Sequence, residues 1–308
     1  MMGSVASSSA PIRFRPMPLP ELLDELFRLY RRYFPVIAGL SVLLVVPGLL
    51  TSLLSGSYRS NSVGLLITYI NGGSTALLQR IQDLQAQQNP GWGLLGGLIG
   101  LIIVPFAAAG IYRAAIDAAN GQAITIGSVL RGTLARYWAV WGYLLLLGLI
   151  FTGVTIVWVI TFIVPLVGFV LVFAWLAVVC WLGVRWALGL PALLAERLGP
   201  VVAMRRSWNL VSGMWWRTFG ILLLTGVAYV VISLALFALF GGIAALIPAV
   251  SEDVRSAIAA AGTALSDALI APVFPILLTL LYFDLRVRKE GLDLDQLARE
   301  TSPGPAPA

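Results

Sequence analysis

The sequence predicts an all-α fold: a polytopic membrane helix bundle of about six transmembrane helices plus amphipathic interfacial helices. Three observations carry that expectation. From Trp138 to Trp181 no charged residue occurs, and the run breaks only around Pro165 and Gly168. A hydrocarbon core roughly 30 Å thick takes about 20 apolar residues per helix, so this run is long enough for two crossings back to back. The chain is 59% hydrophobic and 11% charged, against roughly 45–50% and about 25% in soluble domains. Its basic residues sit at the ends of apolar segments, as the flanks of membrane spans do. The net charge of +6 therefore points to a membrane boundary, and nucleic-acid binding has no support.

Each element follows in order. Residues Met1 to Pro18 are Ser/Pro-rich with Arg13 and Arg15, and the long apolar stretch begins only at Pro35. A secretory signal places its apolar core earlier, so the expectation is a disordered cytoplasmic tail over 1–18, with a second over 298–308. From Leu19 to Phe34 apolar residues recur at helical spacing, with Glu21 early and Arg31 and Arg32 late. That pattern predicts an amphipathic helix lying along the membrane surface. Six crossings follow, near Pro35–Leu54, Leu94–Tyr112, Trp138–Phe162, Pro165–Trp186, Thr218–Leu246 and Gly262–Phe283. Pro47, Pro272 and Pro275 are expected to kink the first and last, since membrane helices tolerate proline.

Between the crossings, Val63–Ile70 is apolar but too short to span and is expected to dip into the interface; Thr75–Gln88 reads as a surface helix. The second crossing runs on to Asn120 with Gly121 as C-cap, and Ser128 is read as the N-cap of a surface helix reaching Arg136. The stretch from Pro191 to Arg217 reads as helix, break, helix, with Gly199-Pro200 opening the second piece. With the N-terminus inside, only Arg59, Arg80 and Arg255 of the twenty basic residues are external. Both termini are thus expected on the cytoplasmic side of the membrane.

The absence of histidine removes the usual general base and the commonest metal ligand. No phosphate loop, dinucleotide fingerprint or Cys/His cluster occurs, so no cofactor is expected. The sole cysteine, Cys180, excludes an intrachain disulfide and is expected to pack as a small hydrophobe. Gly93, Gly96, Gly97 and Gly100 predict close helix packing. Trp138, Trp141, Trp181, Trp186, Trp215 and Trp216 predict an interfacial aromatic belt.

Two charged stretches are the candidate site. One holds Glu196, Arg205, Arg206 and Arg217; the other holds Asp284, Arg286, Arg288 and Glu290. All fall at cytoplasmic helix ends, with Arg206 or Arg217 as the expected partner of Asp284. Either they lock the cytoplasmic loops together, or their guanidinium groups hold an anionic lipid headgroup. Asp267 stands alone in an uncharged stretch, about one turn below the expected outer end of the last crossing, within reach of a loop residue such as Arg255. An interfacial or packing role is favoured there over an ion or proton site.

These stretches also carry a resemblance. Pro191, Glu196, Gly199, Arg206-Ser207-Trp208, Gly213 and Trp216-Arg217, closing with Tyr282, Asp284-Leu285-Arg286, Arg288 and Glu290-Gly291, resemble a bacterial membrane family related to the membrane domain of glycerophosphoryl diester phosphodiesterases. Those enzymes join this region to a separate catalytic barrel with carboxylates and histidines on a metal, which this chain lacks. The resemblance implies a polytopic module without phosphodiesterase activity. The expected function is a scaffold, accessory or lipid-interacting module, with membrane lipids, including anionic headgroups, and a membrane protein as partners. The rivals are a small transporter or lipid-translocating protein with a site between helices, and a membrane enzyme acting on headgroups through Glu196 and Asp284.

Overall fold

The computed structural model describes residues 15–60, 62–245 and 251–291. Among these the chain is helical, with no strand. The helices are α1 (Leu19–Arg32), α2 (Phe34–Ser55), α3 (Ser62–Ala86), α4 (Pro90–Ala119), α5 (Ile126–Leu134), α6 (Tyr137–Ile160), α7 (Pro165–Trp186), α8 (Gly189–Ala195), α9 (Pro200–Val211), α10 (Trp215–Ala245), α11 (Glu252–Ile270) and α12 (Val273–Glu290). Six spans are long and apolar enough to cross a membrane: Phe34–Ser55, Pro90–Ala119, Tyr137–Ile163, Pro165–Ala195, Trp215–Phe240 and Asp253–Glu290. The chain is an all-α, multi-pass membrane protein.

Local chemistry explains the boundaries, several of which correct the sequence expectation. The N-cap of α5 is Thr125 rather than Ser128: Thr125 and Ser128 form a reciprocal capping box, which satisfies two free backbone donors of the first turn. The end of α4 is as expected. Gly121 (φ 71°) donates to Ala118 O, and Gln122 donates to Asp117 O, the paired bonds of a Schellman motif. The apolar stretch 63–70 and the predicted surface helix join into α3, broken only at Gly73 (φ 70°), a backbone angle that suits a residue without Cβ. The sixth crossing is two helices and not one. α11 ends at Ile270 and α12 starts at Val273, because Pro272 and Pro275 supply no N–H to the ladder there.

The chain divides into two compact units, the first comprising Met1–Ile37, Ala109–Leu224 and Val273–Ala308, the second Ala38–Ala108 and Thr225–Pro272. In the first unit α12 is the central element. Every residue from Pro275 to Leu285 is buried, and α1, α8 and α9 pack on it. An apolar surface all round marks a helix enclosed by others. The amphipathic α1 does lay down an apolar stripe, but Leu22, Leu26 and Leu29 are buried against protein rather than facing a membrane surface. The predicted tails lie outside the described residues except for 15–18. There Met17 is 4% exposed, so that part of the tail is ordered, held by α12.

In the second unit the glycine face of α4 works at one position only. A Cβ on Gly96 would overlap the Thr51 side chain of α2, whereas Gly93, Gly97 and Gly100 have nothing near. Arg59 makes a two-pronged pair with Asp253 at 2.8 and 3.1 Å, fastening the turn after α2 to α11. Cys180 is exposed on α7, a correction to the expected packing. α7 is apolar on every side, so periodicity does not tell its covered face from its open one.

The turn between α8 and α9 stores strain. Leu198 donates to Leu193 O, closing a Schellman-type cap in which the left-handed position is Arg197 (φ 55°) instead of glycine. Its side chain is exposed and makes no hydrogen bond or ion pair among the described residues. Arg197→Gly should therefore raise stability by about 1 kcal/mol, read as a higher thermal midpoint in detergent; a lower midpoint would mean the side chain stabilises the turn.

Candidate functional site

Most of the charged residues singled out by sequence fall into two adjoining networks of the first unit, both built on α12. Helical periodicity puts Tyr282, Arg286 and Glu290 on one face, and Asp284 with Arg288 on another.

The first network centres on Glu196, the residue that ends α8. Arg206 of α9 approaches it with Nε at 2.9 and 3.1 Å from the two carboxylate oxygens and Nη2 at 2.8 Å. Tyr282 donates its hydroxyl to the same carboxylate at 2.6 Å. Arg206 also reaches Glu290 at 2.8 Å, and Arg286 donates to Glu290 at 3.0 Å. The bond to Glu290, reinforced by Glu196, outweighs partial desolvation and holds the Arg206 guanidinium above its ordinary pKa. It carries its charge throughout the accessible pH range. Planar pairs of this kind fix orientation as well as distance.

The second network centres on Asp284, whose side chain is fully buried. Its Oδ2 accepts from Arg217 at 2.8 Å, and Arg288 bridges both oxygens at 3.0 and 3.1 Å. The Met17 N–H donates to Oδ1 at 2.8 Å. The Met17 carbonyl in turn accepts from Arg217 at 2.7 Å and Arg288 at 3.1 Å. One residue of the N-terminal segment is thus gripped by both its backbone N–H and its carbonyl by an Asp–Arg–Arg group. Of the two partners expected for Asp284, Arg217 takes the role and Arg206 does not, because Arg206 lies on the Glu196 side of α12.

Hydrogen bonds tie the surrounding turns to this frame. Ser207 donates to Arg185 O at 2.7 Å and accepts from Leu188 N–H at 3.2 Å, pinning α9 to the end of α7. Lys289 donates to Asn209 O and Ser212 O at the end of α9. Arg185 bonds Ser212 Oγ at 2.7 Å and lies over the rings of Trp208 and Trp181. Two tryptophans of the expected belt, Trp181 and Trp186, therefore pack around Trp208, while Trp138 (82%) and Trp216 (78%) stay exposed as interfacial residues do.

Arg205 and Asp267 stand outside both networks. Arg205, on the outer face of α9, is exposed without an ion pair among the described residues. Asp267 lies in the last turn of α11, exposed and likewise unpaired. It is about four turns from the N-terminal end of that helix, where one turn was expected, because the Ala-rich stretch after Glu252 belongs to the same helix. Arg255 is twelve residues away, about 18 Å along the axis, and does not reach it. Met17, Tyr282 and Lys289 were not among the predicted site residues. The i, i+4, i+8 spacing of Tyr282, Arg286 and Glu290 carries a readable signal; a gripped backbone peptide carries none.

Chemically, each of the two carboxylates accepts several hydrogen bonds from protein donors, Asp284 fully buried and Glu196 part-exposed. No group of three metal-ligating side chains occurs among the described residues. No protein-family model, curated protein or solved structure matches the chain.

Removing the Asp284 carboxylate leaves two part-buried guanidiniums and a buried amide unpaired. Asp284→Ala should destabilise the fold by about 3 kcal/mol and speed amide exchange at Met17 about a hundredfold, measured by hydrogen–deuterium exchange in detergent. Unchanged exchange would contradict the grip on Met17.

Proposed function

We propose that this chain is a non-catalytic module of the bacterial cytoplasmic membrane, with both termini in the cytoplasm, serving as a scaffold, accessory or lipid-interacting component. The observation that carries this reading is the saturation of the charged cluster. Glu196, Asp284 and Glu290 are all satisfied by arginine, tyrosine or backbone donors from neighbouring segments, an arrangement that locks loops and leaves little free valence for a substrate. The likeness to the membrane domain of glycerophosphoryl diester phosphodiesterases supports the same module reading, again without their barrel. The cytoplasmic orientation follows from the charge bias of the connecting segments.

A second reading, a small transporter or lipid-translocating protein, draws on one observation. Most described Ser and Thr hydroxyls within spans bond a preceding carbonyl, as Thr155, Thr263 and Thr279 do at 2.8–2.9 Å. Thr225 Oγ1 and Ser233 Oγ on α10 are buried without a partner, and buried hydroxyls of that kind call for water or a polar ligand. The third reading, a headgroup-directed enzyme using Glu196 and Asp284, gains nothing from carboxylates so enclosed.

Arg206→Ala separates the module reading from a headgroup site at this cluster. It should lower the amount of folded protein in the membrane several-fold, since Glu196 and Glu290 lose their shared partner, while phospholipid retained per folded molecule stays constant. Normal abundance with lost phospholipid would contradict the structural role. A reporter fused in the turn at Gly213, between α9 and α10, should read cytoplasmic; a periplasmic signal would overturn the orientation.

A further inference from the structure

Most described arginines on the side of the membrane that holds the candidate cluster are committed to protein. Arg113 pairs with Asp117, Arg136 donates to Leu198 O, and Arg206, Arg217, Arg286 and Arg288 belong to the two networks. Arg131, Arg197 and Arg205 are exposed singly, whereas α1 gathers three arginines on one face. Its buried stripe faces α12, and its opposite face bears an open concavity of about 580 Å³ lined by Asp24, Phe27, Arg28, Arg31 and Arg32. Phe27 is 58% exposed there. Arg31 makes no hydrogen bond or ion pair among the described residues, and Arg32 only stacks on Tyr33, 5.5 Å from the ring centre. Arg28 pairs with Glu25 at 3.1 Å while its side chain stays 70% exposed. Asp24 offsets one charge, which leaves the concavity net cationic.

Position decides what such a surface meets. The membrane-crossing α2 starts at Phe34, itself 41% exposed, two residues after Arg32. Arg28, Arg31 and Arg32 therefore sit within two turns of the hydrocarbon boundary, at headgroup depth. An exposed ring beside them suits the acyl–glycerol boundary, where aromatic side chains are favoured. Guanidinium forks match phosphate oxygens in pairs.

We propose that the face of α1 formed by Phe27, Arg28, Arg31 and Arg32 binds the phosphodiester headgroup of an anionic phospholipid. This deepens the lipid-interacting reading but moves the site away from Glu196 and Asp284. It rests on α2 crossing the membrane and is indifferent to which side α1 faces, so it fails separately from the orientation.

The test is native mass spectrometry of the full chain purified in detergent, titrated with phosphatidylglycerol or phosphatidylcholine. Wild type should retain phosphatidylglycerol in preference, and R31Q/R32Q should lose about twentyfold of that preference with unchanged helicity and thermal midpoint. R131Q/R205Q removes equal charge from α5 and α9 and should keep it. If R31Q/R32Q does not accumulate, F27S is read in its place, with a several-fold loss expected. Equal retention of both lipids by wild type overturns the proposal, as does equal loss in the two double variants. So does inorganic phosphate binding as tightly as the lipid, or an acidic protein, rather than lipid, being released by R31Q/R32Q.

Discussion

A fully buried carboxylate at the end of an apolar helical stretch has to be neutralised by its surroundings, and the way Asp284 is neutralised organises the first unit. Leaving that charge unpaired costs several kcal/mol, so its donors cannot drift. They come from three places far apart in sequence: the Met17 amide, Arg217 at the start of α10 and Arg288 one turn along α12. Met17 and Arg217 fix the N-terminal segment and α10 against α12, and Arg288, on α12 itself, also holds the Met17 carbonyl. The segment before α1 is held through Met17, next to α1, whose buried leucines pack on α12. Glu196 repeats the device one face away, drawing α8 and α9 in through Arg206 and Tyr282.

Why ion pairs should do this work follows from the medium. In hydrocarbon, helices gain little by burying apolar surface against one another, because lipid tails are as apolar as leucine. Specificity must come from close packing and from polar groups. The structure divides these tasks by depth. The middles of the spans carry few charges and satisfy most described hydroxyls internally, while the guanidinium–carboxylate pairs of the first unit gather at span ends and in the segments beside them. The central position of α12 fits that division. Some 72% of the apolar window of Asp253–Glu290 is buried, against 22% or less in the other five spans; the last crossing is enclosed and the rest show broad apolar surface outward.

How much of this could be read from the chain depends on the physical signal. The crossings were legible because length and lack of charge suffice, and Gly121 and Gly199-Pro200 marked their turns by backbone chemistry. The site was half legible. Arginines and carboxylates at helix ends could be picked out, and Arg217 was one of two partners offered for Asp284. What separated Arg217 from Arg206 was which side of α12 each faces, and that needs the packing of α9 and α10. Met17 could not be found, since a backbone amide looks the same everywhere. The break at Pro272 was underestimated because one proline bends a membrane helix while two within four residues divide it. Exposure on spans apolar all round, as for Cys180, leaves no periodic trace to read.

The central claim is that these charges hold the protein together rather than hold a ligand, and a double-mutant cycle between Asp284 and Arg217 tests it most directly. Unfolding free energies of Asp284→Ala, Arg217→Ala and the double variant, measured in detergent, should give a coupling of about 2 kcal/mol. A coupling near zero would contradict the account, because two groups that stabilise the fold through each other cannot act independently.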